Sequence, residues 1–299
     1  MEVTDFPSTE ADLSSTGAGS SSAGAGLSFT EAGFSFTEAE RTDAAVWSAM
    51  AAASMSMEAG IEANLLAGGV VVTRPAVDSL FWNQAQSFDR ELTREDVEAI
   101  LHRFQSRGVS KAMLKVTPVS AGDDWENIAA ATGLSRSDGG ELKWAAPVDN
   151  VLEAVADSRT ELRVARVEPP DARRWSEKMW EIFGMVDEAA IGAATAVLDQ
   201  PGWQGYSAWD GDEIAAVGLL HIRGQFAQLL SGATAEKYRS RGAQSALIAA
   251  RAQAAQQAGA KWITAETSVE PGGLNTSARN LKRAALTNVY KKTFWTWSA

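Results

Sequence analysis

Apolar and polar positions alternate along this chain in two periods, and the change from one to the other marks out its elements. From about Arg41 the pattern is globular: a helical stretch through Trp47 and Met50 leads to an apolar strand, Gly69–Thr73, and Phe81–Phe88 reads as another strand. Thr93 followed three residues later by Asp96 predicts a helix N-cap, with an acid in place of the usual Glu or Gln. Behind it Val97, Ile100, Leu101 and Phe104 share one face, and Gly108 stops the helix. Lys111–Thr117 reads as a strand, Asp123–Thr132 as a short helix and Glu141–Ala146 as a strand. Residues 147–160, opened by Pro147, read as a linker with partial helical character. A second set follows: strand Glu161–Val167, helices over 171–184 and 187–199, then strands Trp203–Trp209, Glu213–Ile222 and Gln225–Ala233. The last three are separated by Asp210-Gly211-Asp212 and Arg223-Gly224, and an Asp-Gly step is a strong hairpin signal. An Ala-rich helix over 243–258, strand Lys261–Thr267, a short helix from about Asn275 and strands ending near Trp297 complete the order β-α-α-β-β-β-α-β-α-β. The expected class is α/β (α+β), in two units over 41–150 and 151–299.

Residues 1–40 break this pattern. They are rich in Ser, Gly, Ala, Thr and Glu, and S-F-T-E-A occurs at Ser28–Ala32 and again at Ser35–Ala39. Such a segment buries too little apolar surface to offset its ordering entropy, so a disordered acidic tail is expected. The alternative is that Phe29, Phe34 and Phe36 are contacts for a partner. Gly17–Gly26 is glycine-rich, but neither GxGxxG nor GK[ST] spacing is present, so it is not read as a phosphate loop.

Composition narrows the chemistry. The 299 residues are 45% hydrophobic with a mean hydropathy of −0.16, no run reaches the length of a membrane span, and no secretion signal is visible, so a cytoplasmic protein without membrane contact is expected. There is no cysteine, which excludes disulfides, thiolate metal sites and a cysteine nucleophile. With only His102 and His221 as imidazoles, a metal centre or a Ser-His-Asp triad is not expected. The net charge of −11 is uneven: residues 1–40 carry seven acids and no Lys or Arg, whereas Ala233 onward carries ten Lys/Arg against three Glu. A ligand-facing segment can thus be basic in an acidic chain. No long basic stripe or RNP-like aromatic pattern points to nucleic acid.

The segment from Glu236 to Thr267, EKYRSRGAQSALIAARAQAAQQAGAKWITAET, holds the sharpest signal. A strand ends near Ala233 and Thr234, a tight turn follows, and a helix opens at Gly242 or Ala243. The first turn of a helix has unpaired N–H groups and the positive end of the macrodipole. Gly242, Ala243, Gln244 and Ser245 would present that backbone, while Arg239 and Arg241 flank Ser240 with two guanidinium groups. The opening is suited to a phosphate or diphosphate; the competing reading is a surface turn with solvated arginines.

Arg239-Ser240-Arg241-Gly242-Ala243-Gln244 resembles the Q/R-x-x-G-x-G/A loop of the GCN5-related N-acetyltransferases, which holds the pyrophosphate of acetyl-coenzyme A. The element order over about 161–298 is similar to that family's, and Asn275-Thr276-Ser277-Ala278-Arg279-Asn280 resembles its later pantetheine-contacting segment. The resemblance implies tandem mixed sheets flanked by helices, with 41–150 as a degenerate copy and 151–299 as the cofactor-binding domain. It further implies acetyl-CoA as cosubstrate, no metal, and binding residues Ala233, Thr234, Arg239–Ser245, Asn275, Ser277 and Arg279. Strands Leu229–Thr234 and Trp262–Thr267 would splay to clasp the pantetheine, and a small amine or amino-acid-like acceptor would attack the thioester directly. Three positions depart from the family: Gln244 replaces a small residue, Ala285-Leu286 replaces a Gly-Phe pair, and the family's thiolate-protonating tyrosine is replaced near Leu281.

For proton transfer the candidates are Glu266, as base through a water, and Tyr290, as acid; the alternatives are a salt-bridged strand residue and a half-buried sheet tyrosine. Ser277 either caps the last helix or contacts pantetheine. Trp203 and Trp209 read as packing, Trp295 and Trp297 as sharing one face of the last strand. His102 reads as structural, and His221 as structural or acceptor-facing. A catalytically inactive acyl-CoA-binding regulatory module, and an interaction protein with a basic docking face, are the competing functions. Monomer and homodimer are both open.

Overall fold

Two-residue turns set the hairpins of this fold. Ala67 and Gly68 both have positive φ, 56° and 77°, and Gly211 and Gly224 stand at 58° and 57°, which places each at a tip joining antiparallel strands. The computed structural model describes residues 34–54, 60–270 and 273–299. The first set of elements is α1 (Phe36–Ser54), β1 (Glu62–Leu66), β2 (Gly69–Thr73), β3 (Gln84–Gln86), α2 (Arg94–Ser106), β4 (Lys111–Val116), α3 (Pro118–Ala121), α4 (Trp125–Ala131), β5 (Ser135–Pro147) and α5 (Val148–Val155). The second is β6 (Arg163–Arg166), α6 (Ala172–Ile182), α7 (Glu188–Val197), β7 (Trp203–Asp210), β8 (Glu213–Arg223), β9 (Phe226–Thr234), α8 (Ala243–Gln257), β10 (Trp262–Ser268), α9 (Thr276–Arg283) and β11 (Thr287–Ser298).

The two sets share one mixed eleven-stranded sheet rather than two, in the order β1-β2-β3-β4-β11-β5-β10-β9-β8-β7-β6. The join is an exchange. β5, last strand of the first set, lies between β10 and β11 and pairs antiparallel with both. β11, last strand of the second, lies between β4 and β5, with Thr293 opposite Val116 and Ser298 opposite Lys111. Trp295 and Trp297, at the end of the chain, therefore sit in the first half's core, against Trp125 at 5.6 Å and Phe104 at 6.5 Å between ring centroids. The 147–160 segment expected as a linker starts as the end of β5 and continues into α5, whose Val151 is fully buried beside α8. The boundary expected at residue 150 thus cuts the chain but not the sheet.

Helix α1 begins five residues before the expected globular start at Arg41. Phe34 packs edge-on against Phe226 and Trp262, and Phe36 against Tyr290, so these two rings dock on the protein's own core rather than on a partner. Residues 1–33, including Phe29 and the first S-F-T-E-A, lie outside the described residues.

Inward from Phe36, α1 carries Glu40 and Asp43 across the seam where β5, β10 and β11 meet. There Lys292 Nζ lies 2.6 Å from Glu266, 3.1 Å from Glu40 and 3.3 Å from Asp43, and Lys143 is paired with Asp43 and stands 3.6 Å from Glu266. Three carboxylates share two buried ammonium groups, with Glu40 and Asp43 out of water and Glu266 partly exposed. Burial and the neighbouring Glu266 carboxylate push Asp43 up to about 8. The three carboxylates come within 4.8 Å of one another, and the two ammonium groups serve as their counter-ions. Removing one partner from such a set costs about 3–5 kcal/mol, so α1 is fastened to both halves at once. Among the described residues no helix is long and apolar enough to cross a membrane.

Candidate active site

Between β9 and β10 the sheet opens. Their parallel pairing runs from Phe226 opposite Trp262 to Leu229 opposite Ala265 and stops, although both strands continue, to Thr234 and Ser268. The cause lies on the other edge of β9. Against β8, Leu219 pairs with Leu230 but Val217 pairs with Ala233, so β9 carries one extra residue, a bulge with Ser231 at φ 49°. The bulge bends β9 away from β10 and leaves a wedge.

The opening of α8 faces that wedge. Its N-cap Gly242 is left-handed (φ 77°), Ser240 is left-handed too (φ 65°), and no side chain caps the helix. The N–H groups of Ala243, Gln244 and Ser245 find no acceptor among the described residues; the helical ladder starts with Ala246 N donating to Gly242 O. A cleft of about 710 Å³ joins this opening to the wedge. Gly242 serves the fold as well: a Cβ there would run into the Arg159 carbonyl oxygen, and Thr160 Oγ1 donates to Arg241 O at 2.7 Å.

Ala233, Thr234, Arg239, Ser240, Gly242, Ala243, Gln244, Ser245, Ser277 and Glu266, all expected from the sequence, come together around this cleft. Four others do not line it. Arg241 turns away to pair with Glu161 at 2.7 Å and Asp210 at 2.9 Å, its guanidinium over the Tyr238 ring, so a single loop arginine, Arg239, faces the cleft. Asn275 is the N-cap of α9: its Oδ1 accepts from Ala278 N at 2.8 Å and its Nδ2 donates to Ser268 O at 2.9 Å. That frees Ser277 from capping and leaves it on the cleft wall. Arg279 donates to Leu274 O and to Thr276 Oγ1. Tyr290 is buried, with its hydroxyl on Glu40 and its pKa raised well above that of a free phenol by burial and by the surrounding carboxylates. Its hydroxyl does not reach the cleft, because β11 turns this position toward α1.

Glu266 lines the cleft, but Lys292 holds its carboxylate. Despite burial, the Lys292 and Lys143 ammonium groups keep its pKa well below the usual carboxylate range. The two ammonium groups thus favour its ionised form. Gln244 spans the cleft mouth, Nε2 donating to Thr234 Oγ1 at 3.0 Å, at the position where the resemblance leads one to expect Gly or Ala. His221 lies outside the cleft, stacked on Trp203 at 4.5 Å and lowered to about 4 by burial.

Sequence reasoning missed Arg251, Arg283 and the end of α6, where Ile182 and Phe183 form the opposite wall. Arg251 left a signal: it falls on the buried stripe Leu247, Ile248, Arg251, Ala252, Ala255 of an otherwise Ala-rich helix. Ile182 and Phe183 left none, because only the packing of α6 against β8 and β9 brings them here.

The overall architecture can be placed among solved structures. A GCN5-related N-acetyltransferase from Kribbella flavida superposes with a TM-score of 0.54 at 16% identity, covering 83% of this chain and 95% of its own. A tandem GNAT protein from the clavulanic acid biosynthesis pathway gives 0.55 at 13%, covering 88% and 94%. The fold is that of a tandem GCN5-related N-acetyltransferase. A GCN5-related N-acetyltransferase from Sphaerobacter thermophilus agrees, with a TM-score of 0.52 at 12% identity over 88% of this chain and 93% of that one. No protein-family model and no curated protein matches the sequence. The likeness is thus one of architecture, and within the acetyltransferase fold the bulged β9, the wedge and the uncapped α8 all fall in the second half.

Proposed function

We propose that this protein is an acyltransferase of the GCN5-related N-acetyltransferase family, moving an acyl group from a coenzyme A thioester to an amine. The observation that carries the reading is the uncapped opening of α8 at the mouth of the β9–β10 wedge. The N–H groups of Ala243, Gln244 and Ser245 and the side chains of Arg239 and Ser240 would hold the diphosphate; Arg283, on α9, adds charge at the rim. The free edges of β9 and β10 beyond Leu229 and Ala265 would take the amides of the pantetheine, and β9 backbone N–H groups at the bulge would polarise the thioester carbonyl. The cleft offers no cysteine nucleophile, which leaves direct attack by the amine. Acetyl-CoA and a small primary amine, one whose cationic form is drawn in by ionised Glu266, are the simplest pair. The amine reacts as the free base, since Lys292 holds the Glu266 carboxylate.

A second reading, a module that binds acyl-CoA without turning it over, is favoured by Tyr290 being buried on Glu40 and Gln244 bridging to Thr234. Calorimetry with coenzyme A and acetyl-CoA tests what the two readings share: absence of binding removes both. Thiol release with polyamines, amino acids, aminoglycosides and peptides separates them; tight binding with no release by any amine selects the binding module.

A further inference from the structure

Among the described residues five cations are buried: Arg74, Lys115, Lys143, Arg251 and Lys292. Four have a carboxylate partner. Arg74 holds Asp187 at 2.9 Å, Lys115 holds Glu141 at 2.8 Å, and the two lysines of the seam share Asp43, Glu40 and Glu266. Arg251 has none. It is 2% exposed, and its only bonds are to main-chain carbonyls: Nε to Leu247 O at 3.0 Å, and Nη1 to Leu219 O at 3.1 Å and Leu230 O at 3.3 Å. Nη2 makes no hydrogen bond, and the side chain lies on the cleft wall.

Its position is built into the sheet. Leu219 and Leu230 are the register pair at the bulge, where the wedge begins, so the guanidinium stands beside the inner end of the cleft. A glycine makes room for it: a Cβ on Gly218 would lie 2.7 Å from Arg251 Cζ. Burial lowers the group to about 10, which leaves it charged at neutral pH. Satisfying bulge carbonyls needs only a neutral donor, whereas an unpaired buried charge costs several kcal/mol. Every other buried cation among the described residues avoids that cost with an acid; this one faces a ligand cleft instead.

We propose that Arg251 is a specificity residue that binds a carboxylate carried by the acyl group, so that the preferred donor is the coenzyme A thioester of a short dicarboxylic acid. The inference rests on the acyl-CoA reading above. In the transfer the acyl carbon–sulfur bond breaks, the carbon–nitrogen bond to the amine forms, the amine proton passes to the released thiol, and the second carboxylate stays on Nη2 throughout. The guanidinium offers a charged donor where a neutral acyl chain has no acceptor to fill it.

Calorimetry on the full chain, without acceptor, tests this with malonyl-CoA and succinyl-CoA against acetyl-CoA and butyryl-CoA, the last matching succinyl in length. The expected result is at least ~10-fold tighter binding of one carboxyacyl thioester than of either neutral one, about the value of one charge-assisted hydrogen bond. Arg251→Met should remove that preference while butyryl-CoA affinity stays within about twofold, which also shows that the variant is folded. Arg251→Lys should keep a reduced preference. Equal affinities for charged and neutral thioesters in the wild type overturn the proposal and leave coenzyme A binding standing; failure of all four and of free coenzyme A removes both. If Arg251→Met instead alters discrimination between glycine and glycinamide as acceptors, with the acyl preference untouched, the carboxylate belongs to the acceptor and the assignment to the acyl group falls.

Discussion

Helices α2 and α8 occupy equivalent places in the two halves, and their first turns have opposite fates. Each follows one strand of a parallel pair and precedes the other, β3 and β4 for α2, β9 and β10 for α8. At α2 the demand of the helix opening is met from within. Thr93 Oγ1 accepts from Asp96 N at 3.2 Å, Asp96 Oδ2 accepts from Thr93 N at 3.0 Å, and Arg90 clamps both oxygens of Asp96. At α8 the cap is a glycine and the demand is left open. The flanking charge follows suit: Asp89, Glu91, Glu95 and Asp96 outnumber Arg90 and Arg94 around the first, while Arg239 stands at the second. Even the backbone turn is repeated: Ser87 after β3 has φ 62°, Ser231 in β9 has φ 49°. After Ser87, however, Phe88 goes fully into the core. A shared fold thus leaves a helix opening free for an anion only where the first turn lacks its own acceptors.

The contrast can be broken most directly at Ser245, on the first turn of α8 and the cleft wall. Ser245→Glu puts a carboxylate where the helix dipole favours it by ~0.3–1 kcal/mol, so thermal stability should hold or rise. Coenzyme A affinity by calorimetry should nonetheless fall about 100-fold, ~2.7 kcal/mol, because the new acid repels and replaces the diphosphate. Unchanged affinity would place the coenzyme elsewhere. Gln244→Ala removes the bridge to Thr234 and should tighten coenzyme A binding about fivefold, ~1 kcal/mol; weaker binding would make the glutamine a ligand rather than a bar. Thr93→Ala at α2 should cost about 1 kcal/mol in denaturant unfolding with no change in coenzyme affinity. The smallest effect is in pH. Arg90 lowers Asp96 to about 2, so its contribution is complete above the ordinary carboxylate range and is lost as pH falls toward 2. Amide exchange in the first turn of α2 should accelerate over that window relative to the first turn of α8, whose opening has no titrating cap.

The fold was legible wherever its cause is local. The Thr93–Asp96 capping box, the face made by Val97, Ile100, Leu101 and Phe104, and the hairpin at Gly211 rest on neighbours a few residues apart, and all three stand in the structure. Most of the cleft was legible for the same reason, since a strand, a turn and a helix opening are consecutive in the chain. The misses share a different cause. Arg241 and Tyr290 are the right residue types at the right spacing, but their partners Glu161 and Glu40 lie 80 and 250 residues away. Asn275 is the exception, a local cap on Ala278 N at a helix start where Ser277 was the expected capping residue.

By itself the sequence determined the class of fold, the order of elements in the second half, and the helix opening without acceptors, because periodicity, caps and glycine conformations act over three or four residues. Only the tertiary structure decided that β5 and β11 change places, that α1 is pinned by buried acids across the seam, and that Arg251 meets the cleft without a counter-ion. Those outcomes depend on which surfaces bury one another, and the energy of a buried charge is set by whatever the fold places against it.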